Sequence, residues 1–462
     1  MHMELTSEGE SGELRRVLAP RHVSMISIGG IIGAGLFVGS SVTIAAAGPA
    51  IVLSYLIAGA MVLLVMRMLG EMAVALPQVR SFPDFARAAL GEWAGFVVGW
   101  LYWYFWIIVV PVEAIAGAVL LHGWIALPTW LIGVALMIVM TGVNLLSARS
   151  YGEFEFWFAL IKVSAIIAFM LTAAAWAFGL TSGGTSSWGN LVSGGGFAPY
   201  GSKSVLAGVT SVFFAIVGAE ITVVAAAESR EPVRAVARMS ISVMTRILIF
   251  YVGSIFLIVA VVPWRQIVPG FSPFVSAMNL MHFDWASKAM TFIILTAVLS
   301  CMNSAYYVTS RTLFSLAARG DAPRGLVKLS RRGVPAYSVL MGSVAGLAGI
   351  AAQMASPQLV FRFLVDASGA LVVLIYILIA IAQIKLRRDR SAEQQRALPV
   401  QMWFYPYASY AAVAGMATVL VAMAFTPSMA REFWTSMVTL ALALLAAWLH
   451  VRRRARTASA PR

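Results

Sequence analysis

Hydrophobic stretches of close to twenty residues recur along the whole chain, and they restrict its fold more than any other feature. Of the 462 residues, 60% are hydrophobic and only 11% are charged. About 20 apolar residues are enough for a helix to cross a bilayer, and a helix satisfies its backbone hydrogen bonds internally. The strands of a membrane barrel would instead alternate apolar and polar residues. The sequence therefore predicts an all-α polytopic membrane protein.

The apolar stretches predict twelve spans in blocks of five, five and two. A segment rich in Gly and Ser, 180–203, separates the first block from the second. The twelve spans are expected at roughly 22–47, 50–76, 95–121, 124–146, 154–179, 204–228, 240–263, 286–318, 336–355, 359–386, 403–426 and 431–451. The resulting organisation is an N-terminal tail (1–21), a first five-helix unit (22–179), an extracellular linker (180–203), a second five-helix unit (204–386), a loop (387–402), helices 11 and 12 (403–451) and a basic tail (452–462).

The distribution of positive charge predicts the orientation. Most of the 33 Lys and Arg residues fall on the same side as the N-terminus, whereas the other side holds only Lys203, Arg265 and Arg431. Cytoplasmic loops carry such an excess, so both termini are expected in the cytoplasm. The net charge of +14 then belongs to the inner membrane face, and no nucleic-acid partner is expected.

Five glycines interrupt the first predicted span, in "SIGGIIGAGLFVG" at 27–39. The pairs Gly29/Gly33 and Gly35/Gly39 have the GxxxG spacing that lets membrane helices approach closely. Alternatively, the glycines break the helix and leave backbone N–H groups for an anion. A nucleotide-binding loop is a weaker third interpretation, because "GIIGAG" has the wrong glycine order and follows no strand.

Span 6 carries a matching interruption, with Gly218 followed by Glu220 near mid-membrane. Glycine-interrupted spans at corresponding places in two blocks indicate the central site of a transporter. An ionisable side chain at that depth is a functional candidate by default. The alternative for Glu220 is an ion pair or a protonated packing residue.

Further charges lie inside predicted spans. Glu113 in span 3 and Lys162 in span 5 are candidates for function, although the Lys162 stem could also extend its amine to the membrane surface. Arg67 and Glu71 are four residues apart, which indicates a structural pair or gate brace.

Several stretches together resemble the amino acid permeases of the amino acid–polyamine–organocation superfamily, and most resemble its bacterial 4-aminobutyrate (GABA) permeases. They include "RHVSMISIGGIIGAGLFVGSSVTIAAAGPA", "GWLYWYFWIIVVPVEA", "YGEFEFWFALIKV" and "GAEITVVAAAES". The resemblance implies the leucine-transporter fold, in which two inverted five-helix repeats place broken helices 1 and 6 around one substrate. Sister permeases for aromatic, basic or small neutral amino acids share much of this sequence.

The resemblance also implies roles for individual residues. The substrate carboxylate would lie on backbone N–H groups around Gly33, Ala34 and Gly35. The ammonium would face carbonyls at Ile31, Phe214 and Val217, with Phe214 closing over the substrate. Lys162 would stand where sodium-coupled relatives bind a cation. Because GABA separates its charges by three carbons, Glu220 or Glu113 is expected to meet the distant ammonium.

Together with these features, the resemblance implies a secondary active importer of a small zwitterionic amino acid, with GABA as the leading substrate and protons coupled through Lys162, Glu113 or Glu220. Another amino acid substrate, or amino acid exchange, is the alternative. The expected location is the bacterial inner membrane, and the sequence leaves the oligomeric state open.

Two other classes of protein fit less well. A channel would need a continuous polar pore, and an enzyme would need a clustered nucleophile and base. No cofactor or metal is expected, since the five histidines fall at span ends or termini. The single cysteine, Cys301, is expected to pack as a small apolar residue, unless its place on helix 8 brings it near the substrate path.

Overall fold

The computed structural model describes residues 18, 20–30, 32–79, 81–181, 186–226, 236, 242, 245–355, 369–427 and 429–459. Within these residues the chain forms helices and no β-strand. The α-helices are α1 (Pro20–Gly29), α2 (Ser40–Ala47), α3 (Ile51–Ala75), α4 (Phe82–Leu90), α5 (Glu92–His122), α6 (Thr129–Leu146), α7 (Ala148–Ala177), α8 (Gly201–Ile216), α9 (Ile221–Ala226), α10 (Ser254–Val261), α11 (Pro273–Leu280), α12 (Asp284–Ala318), α13 (Ala336–Ala355), α14 (Gly369–Arg388), α15 (Ala392–Arg396), α16 (Tyr407–Phe425) and α17 (Ala430–Ser459). Short π-helices cover Gly35–Gly39 and Ile247–Gly253.

Nine helical segments in the described part of the chain are long and apolar enough to cross a membrane. The first, Gly35–Ala75, has 41 residues and would extend about 60 Å if it were straight, twice the hydrocarbon thickness. Gly48 divides it, because its φ of 66° is left-handed and Pro49 follows. The other eight segments correspond to predicted spans 3–5 and 8–12. The predicted total of twelve is not confirmed.

Predicted spans 6 and 7 do not appear as long helices in the described residues. Span 6 is divided into α8 and α9, and its last residues lie outside the described part of the chain. Span 7 is represented by the shorter apolar helix Ile247–Val261. A break of this kind shortens each half below the length that a continuous span requires.

The first glycine-rich segment is a break between helices. α1 ends at Gly29, and the chain becomes helical again only at Ala34 and the π-helix Gly35–Gly39. The hypothesis of a broken helix is thus confirmed for this segment. Ile31 lies outside the described residues.

The same glycines also permit close approach, as the packing interpretation proposed. A Cβ added to Gly35 would lie 3.0 Å from the Ala215 Cα on α8. A Cβ on Gly33 would lie 2.9 Å from both Cβ and Sγ of Cys301 on α12. The break and the tight packing therefore belong to one arrangement, in which the interrupted backbone lies against two other helices.

The second break lies at residues 217–220, between α8 and α9. Gly218 has a φ of 116°, a conformation that residues with a Cβ rarely adopt. Val217 is extended, with φ −60° and ψ 146°. The predicted interruption at Gly218 is confirmed.

Glu71 connects two helices at one end of the bundle through hydrogen bonds that do not involve Arg67. It accepts hydrogen bonds from Arg387 Nη1 at 2.7 Å and Gln383 Nε2 at 2.9 Å, both on α14. Arg67 instead donates to the Gln401 carbonyl at 2.7 Å. Arg67 and Glu71 thus interact through their charges, as their spacing predicted, but the hydrogen bonds that hold each side chain come from α14 and the loop after it.

A second ionic cluster lies at the same end and centres on Arg87 of α4. Arg87 pairs with Asp84, Glu92 and Asp321, and the last of these lies beyond the end of α12. Burial alone would lower the pKa of the Arg87 guanidinium, but Asp321, Glu92 and Asp84 raise it on balance. His450 of α17 reaches Asp321 at 3.2 Å. The cluster thus joins α4, α5, the end of α12 and α17.

Candidate functional site

The two helix breaks meet at a small cavity in the centre of the bundle. It has a volume of about 30 Å³, which exceeds the space one water needs but is smaller than an amino acid. The lining residues come from both breaks and from α5, α8 and α12, and they are Gly33, Gly35, Phe105, Trp106, Val109, Glu113, Ala215, Val217 and Cys301.

The structure brings some of the predicted site residues to this cavity and places others elsewhere. Gly33, Gly35, Val217 and Glu113 line it, and Ala34 lies between two of them. Lys162 and Glu220 are not among the lining residues. For Phe214 the structure describes the backbone, in α8, and not the side chain. The position of Ile31 is not described.

Glu113 reaches the break in the first helix from α5. Its side chain is buried, and its carboxyl group lies beside the Ala34 backbone N–H and the Cys301 thiol. Its Oε2 atom forms no hydrogen bond among the described residues. The start of a helical segment attracts negative charge, so this carboxylate lies where an anion is favoured.

Cys301 is part of the cavity wall as well as a packing residue. It lines the cavity and lies directly against Gly33. Of the two alternatives weighed for this cysteine, the structure thus supports both its burial and its nearness to the helix break.

Glu220 lies outside the cavity wall and stabilises the second break. Its Oε2 accepts a hydrogen bond from the Gly218 N–H at 3.2 Å and one from the Tyr376 hydroxyl at 2.6 Å. Tyr376 lies on α14, so the carboxylate connects the break to a distant helix. Sequence reasoning did not identify Tyr376, because its partner is 156 residues away.

Lys162 joins α7 to the break in the first helix. Its Nζ donates to the Ile32 carbonyl at 2.9 Å and to Ser300 Oγ on α12 at 2.7 Å. The side chain is fully buried inside the bundle. The alternative, in which the amine extends to the membrane surface, is therefore wrong for this structure.

Glu155 is a buried charged residue that the sequence analysis did not identify. It is fully buried, and its Oε1 lies 3.9 Å from Lys162 Nζ. The signal was present, because residues seven apart share one face of a helix and Glu155 precedes Lys162 by that interval. The predicted span began at 154, so Glu155 was placed at the membrane edge.

Two features of the structure define its class: broken apolar helices that meet at a central cavity, and buried charged side chains around them. Discontinuous helices with a midplane site are typical of secondary transporters. The sequence model of the amino acid permease family matches residues 22–459. The chain belongs to the amino acid permease family and is a multi-pass membrane protein.

Individual relatives extend over most of the chain. It is 44% identical to the gamma-aminobutyric acid permease of Bacillus subtilis over 97% of this chain and 96% of the relative. It is 43% identical to the gamma-aminobutyric acid permease of Escherichia coli, with 91% of each chain covered. The aromatic amino acid transport protein AroP of Corynebacterium glutamicum is 39% identical, with 84% and 85% covered. These relatives are named as transporters, in agreement with the expectation of a transporter.

A solved structure shares the fold. A mutant of the Eremococcus coleocola manganese transporter matches with a TM-score of 0.58 over 96% of this chain and 99% of that chain. Its sequence is 13% identical, so the likeness concerns the fold alone. Among the described residues, no group of three His, Cys, Asp or Glu side chains could hold a metal ion.

Proposed function

We propose that this permease imports a small zwitterionic amino acid, with GABA as the leading substrate, by proton symport. The observation that carries the proposal is the meeting of two helix breaks at a cavity lined by a buried carboxylate, Glu113. The start of a half-helix favours the carboxylate of a zwitterion, and freed carbonyls accept hydrogen bonds from its ammonium.

In the proposed site, the backbone around Gly33, Ala34 and Gly35 binds the substrate carboxylate. The carbonyls of Ile31, Phe214 and Val217 face its ammonium. Phe214 closes over the bound substrate. Glu113 lines the cavity on the side of the Ala34 N–H, where the substrate carboxylate is proposed to bind.

Glu113 also suits proton coupling. Its carboxylate lies beside the Ala34 N–H, the group proposed to bind the substrate carboxylate. Two carboxylates at one site repel each other, so substrate binding favours proton uptake by Glu113. Lys162 is the second coupling group in this proposal, because its contact with Ile32 can tighten or loosen with its charge. Glu220 has the role of holding the second break in place, and we keep it as the third candidate.

The size of the cavity supports a small substrate. Phe105 and Trp106 are among the residues that line it, and both side chains are buried. An unbranched amino acid displaces fewer of these atoms than an aromatic one. This favours GABA over the substrates of the aromatic relatives.

The wider proposal has both termini in the cytoplasm of a bacterial cell, twelve spans arranged as two inverted repeats plus two helices, and alternating access to one central site. Cotransport of one proton with a zwitterion moves one net charge inward. That charge is worth about 2.3 kcal/mol per 100 mV, enough for roughly fiftyfold accumulation.

Uptake of labelled GABA into liposomes that contain only this protein tests the proposal. We expect saturable uptake that rises with an inward proton gradient and is accompanied by acidification of the lumen. Uptake of a different amino acid in preference to GABA would move the protein to a sister branch. Exchange without proton movement would identify an amino acid exchanger.

A further inference from the structure

Glu155 forms a buried pair with Lys162, and the proposed coupling gives this carboxylate no role. Both lie on α7, and both side chains are 0% exposed. Their charged atoms, Glu155 Oε1 and Lys162 Nζ, are 3.9 Å apart. Burying opposite charges costs several kcal/mol of desolvation for each ion, so a pair this deep needs compensating contacts.

Ser300 on α12 connects the two side chains. Its Oγ accepts a hydrogen bond from Lys162 Nζ at 2.7 Å and donates one to Glu155 Oε1 at 2.5 Å. A hydroxyl group can accept and donate at once. Lysine, serine and glutamate therefore form one continuous chain of hydrogen bonds inside the bundle.

We propose that Glu155 receives the coupling proton from Lys162 through the Ser300 hydroxyl. This inference rests on the proposed proton symport and assigns a residue to it. An N–H bond of Lys162 breaks as an O–H bond forms on Ser300, and the original hydroxyl proton of Ser300 moves to Glu155 Oε1. Lys162 and Glu155 become neutral, and Ser300 is unchanged. The buried net charge is zero before and after the transfer.

The transfer changes how tightly α7 holds the first helix. A charged Lys162 donates a strong hydrogen bond to the Ile32 carbonyl, and a neutral amine donates one about half as strong. Moving the proton to Glu155 thus weakens the contact between α7 and the helix break. Such a change lets the broken helix move after the proton has left Lys162.

A polar route continues from Glu155 toward the start of α7. Seven residues of helix place Glu155 about 10 Å nearer to that end than Lys162. Asn303 and Ser304 of α12 lie beside the Glu155 carboxyl group. The Tyr151 hydroxyl lies 3.2 Å from Ser304 Oγ. These groups offer the proton a path to the side that we assign to the cytoplasm.

The other titratable groups near the pair do not replace Glu155. Glu113 on α5 and Cys301 on α12 interact electrostatically with Lys162 from the side of the cavity. On the α1 side, His22 Nε2 lies 3.0 Å from Glu153 Oε1. Glu155 is the carboxylate that a single hydroxyl group links to Lys162, with a short hydrogen bond on each side of that hydroxyl.

The test compares Glu155→Gln with Glu153→Gln in the full-length protein in liposomes. Glu153 is two residues from Glu155 on the same helix, and its side chain is 35% exposed. It takes no part in the proposed transfer of a proton from Lys162. GABA exchange measures binding and movement without net proton flux, and a pH-sensitive dye in the lumen measures protons that enter with GABA. We expect Glu155→Gln to keep exchange within about threefold of wild type and to lose gradient-driven accumulation. Glu153→Gln should retain both.

Accumulation by Glu155→Gln at the wild-type level overturns the proposal. If the single variant fails to exchange because Lys162 has lost its neighbouring carboxylate, the double variant Glu155→Gln/Lys162→Gln removes both charges. The double variant should exchange GABA without accumulating it, and accumulation by it also overturns the proposal. Ser300→Ala should slow accumulation by about tenfold and leave exchange near wild type.

A readout that needs no transport separates this inference from the proposed function. Infrared difference spectra between alkaline and acidic pH should contain a protonated-carboxyl band that Glu155→Gln removes and Lys162→Gln shifts. Absence of a band assignable to Glu155 contradicts the shared proton. If wild-type liposomes exchange GABA without moving protons, the proposed symport fails, and the spectra still decide whether Glu155 and Lys162 share a proton.

Discussion

Gly35 lies so close to Ala215 that a Cβ on the glycine would be 3.0 Å from the alanine Cα. This contact holds the break in the first helix against the end of α8, where the second break begins. A side chain at Gly35 would have to push these two segments apart, because backbone cannot yield as a flexible side chain does. The shape of the cavity therefore depends on the absence of a side chain at Gly35.

Gly35→Ala is expected to weaken substrate binding by at least about tenfold, since the added methyl group displaces the backbone that lines the site. Gly39→Ala is the matched control. A Cβ on Gly39 would meet its nearest atom, the Ala34 carbonyl oxygen, at 3.7 Å, an ordinary contact. Ligand-induced shifts in melting temperature measure both variants. Wild-type affinity in Gly35→Ala would contradict the role given to this contact.

Trp106→Phe is expected to enlarge the cavity and to improve binding of phenylalanine relative to GABA by about tenfold. Trp106 lines the cavity, and its side chain is buried. Trp103→Phe makes the same change one helical turn away, at a half-buried residue that is not part of the cavity wall. Competition with labelled GABA measures both. Equal selectivity in the two variants would show that the Trp106 ring does not limit substrate size.

Tyr376→Phe is expected to destabilise the protein by about 1–3 kcal/mol, because it removes a hydrogen bond from a buried carboxylate. The lost partner is the hydroxyl that donates to Glu220 Oε2 at 2.6 Å. Transport should fall as well, since Glu220 also accepts from the Gly218 N–H in the second break. Tyr410→Phe, at an exposed tyrosine on α16, serves as the control for thermal stability and uptake. No loss in Tyr376→Phe would mean that the break is held by other contacts.

Lys162→Gln is expected to retain substrate binding and to lose accumulation driven by a proton gradient. The neutral side chain can no longer release a proton, although it can still donate a hydrogen bond toward Ile32. Lys288→Gln, at an exposed lysine on α12, tests whether loss of any positive charge has this effect. Concentration of substrate by Lys162→Gln at the wild-type level would exclude Lys162 as a coupling group and favour Glu113 or Glu220.

The sequence predicted the features whose signal is local. Glycines in an apolar span located both breaks, because glycine is costly within a helix and tolerates the left-handed conformation found at Gly218. The depth of Lys162 and Glu113 in their spans indicated buried charges. The count of twelve spans is not confirmed, since spans 6 and 7 do not appear as single long apolar helices in the described residues.

The contacts between distant segments could not be predicted in this way. Glu71 forms its hydrogen-bonded ion pair with Arg387, although Arg67 has the favourable helical spacing and interacts with it only through charge. Glu220 is held by Tyr376, and Lys162 by Ser300. These choices depend on which helices pack together, and a single sequence does not encode that in any short pattern. Glu155 is different, because its spacing from Lys162 was visible and only its depth was misjudged.

Uptake into liposomes under an inward proton gradient decides whether the two helix breaks form the site of a proton-coupled GABA importer. The measurement follows labelled GABA and luminal pH together, with leucine, lysine and phenylalanine as competitors. We expect GABA to accumulate above its equilibrium level, to acidify the lumen as it enters, and to be displaced poorly by the competitors. Transport without acidification, or a preference for phenylalanine or lysine over GABA by about tenfold, equivalent to about 1.4 kcal/mol, would contradict the account.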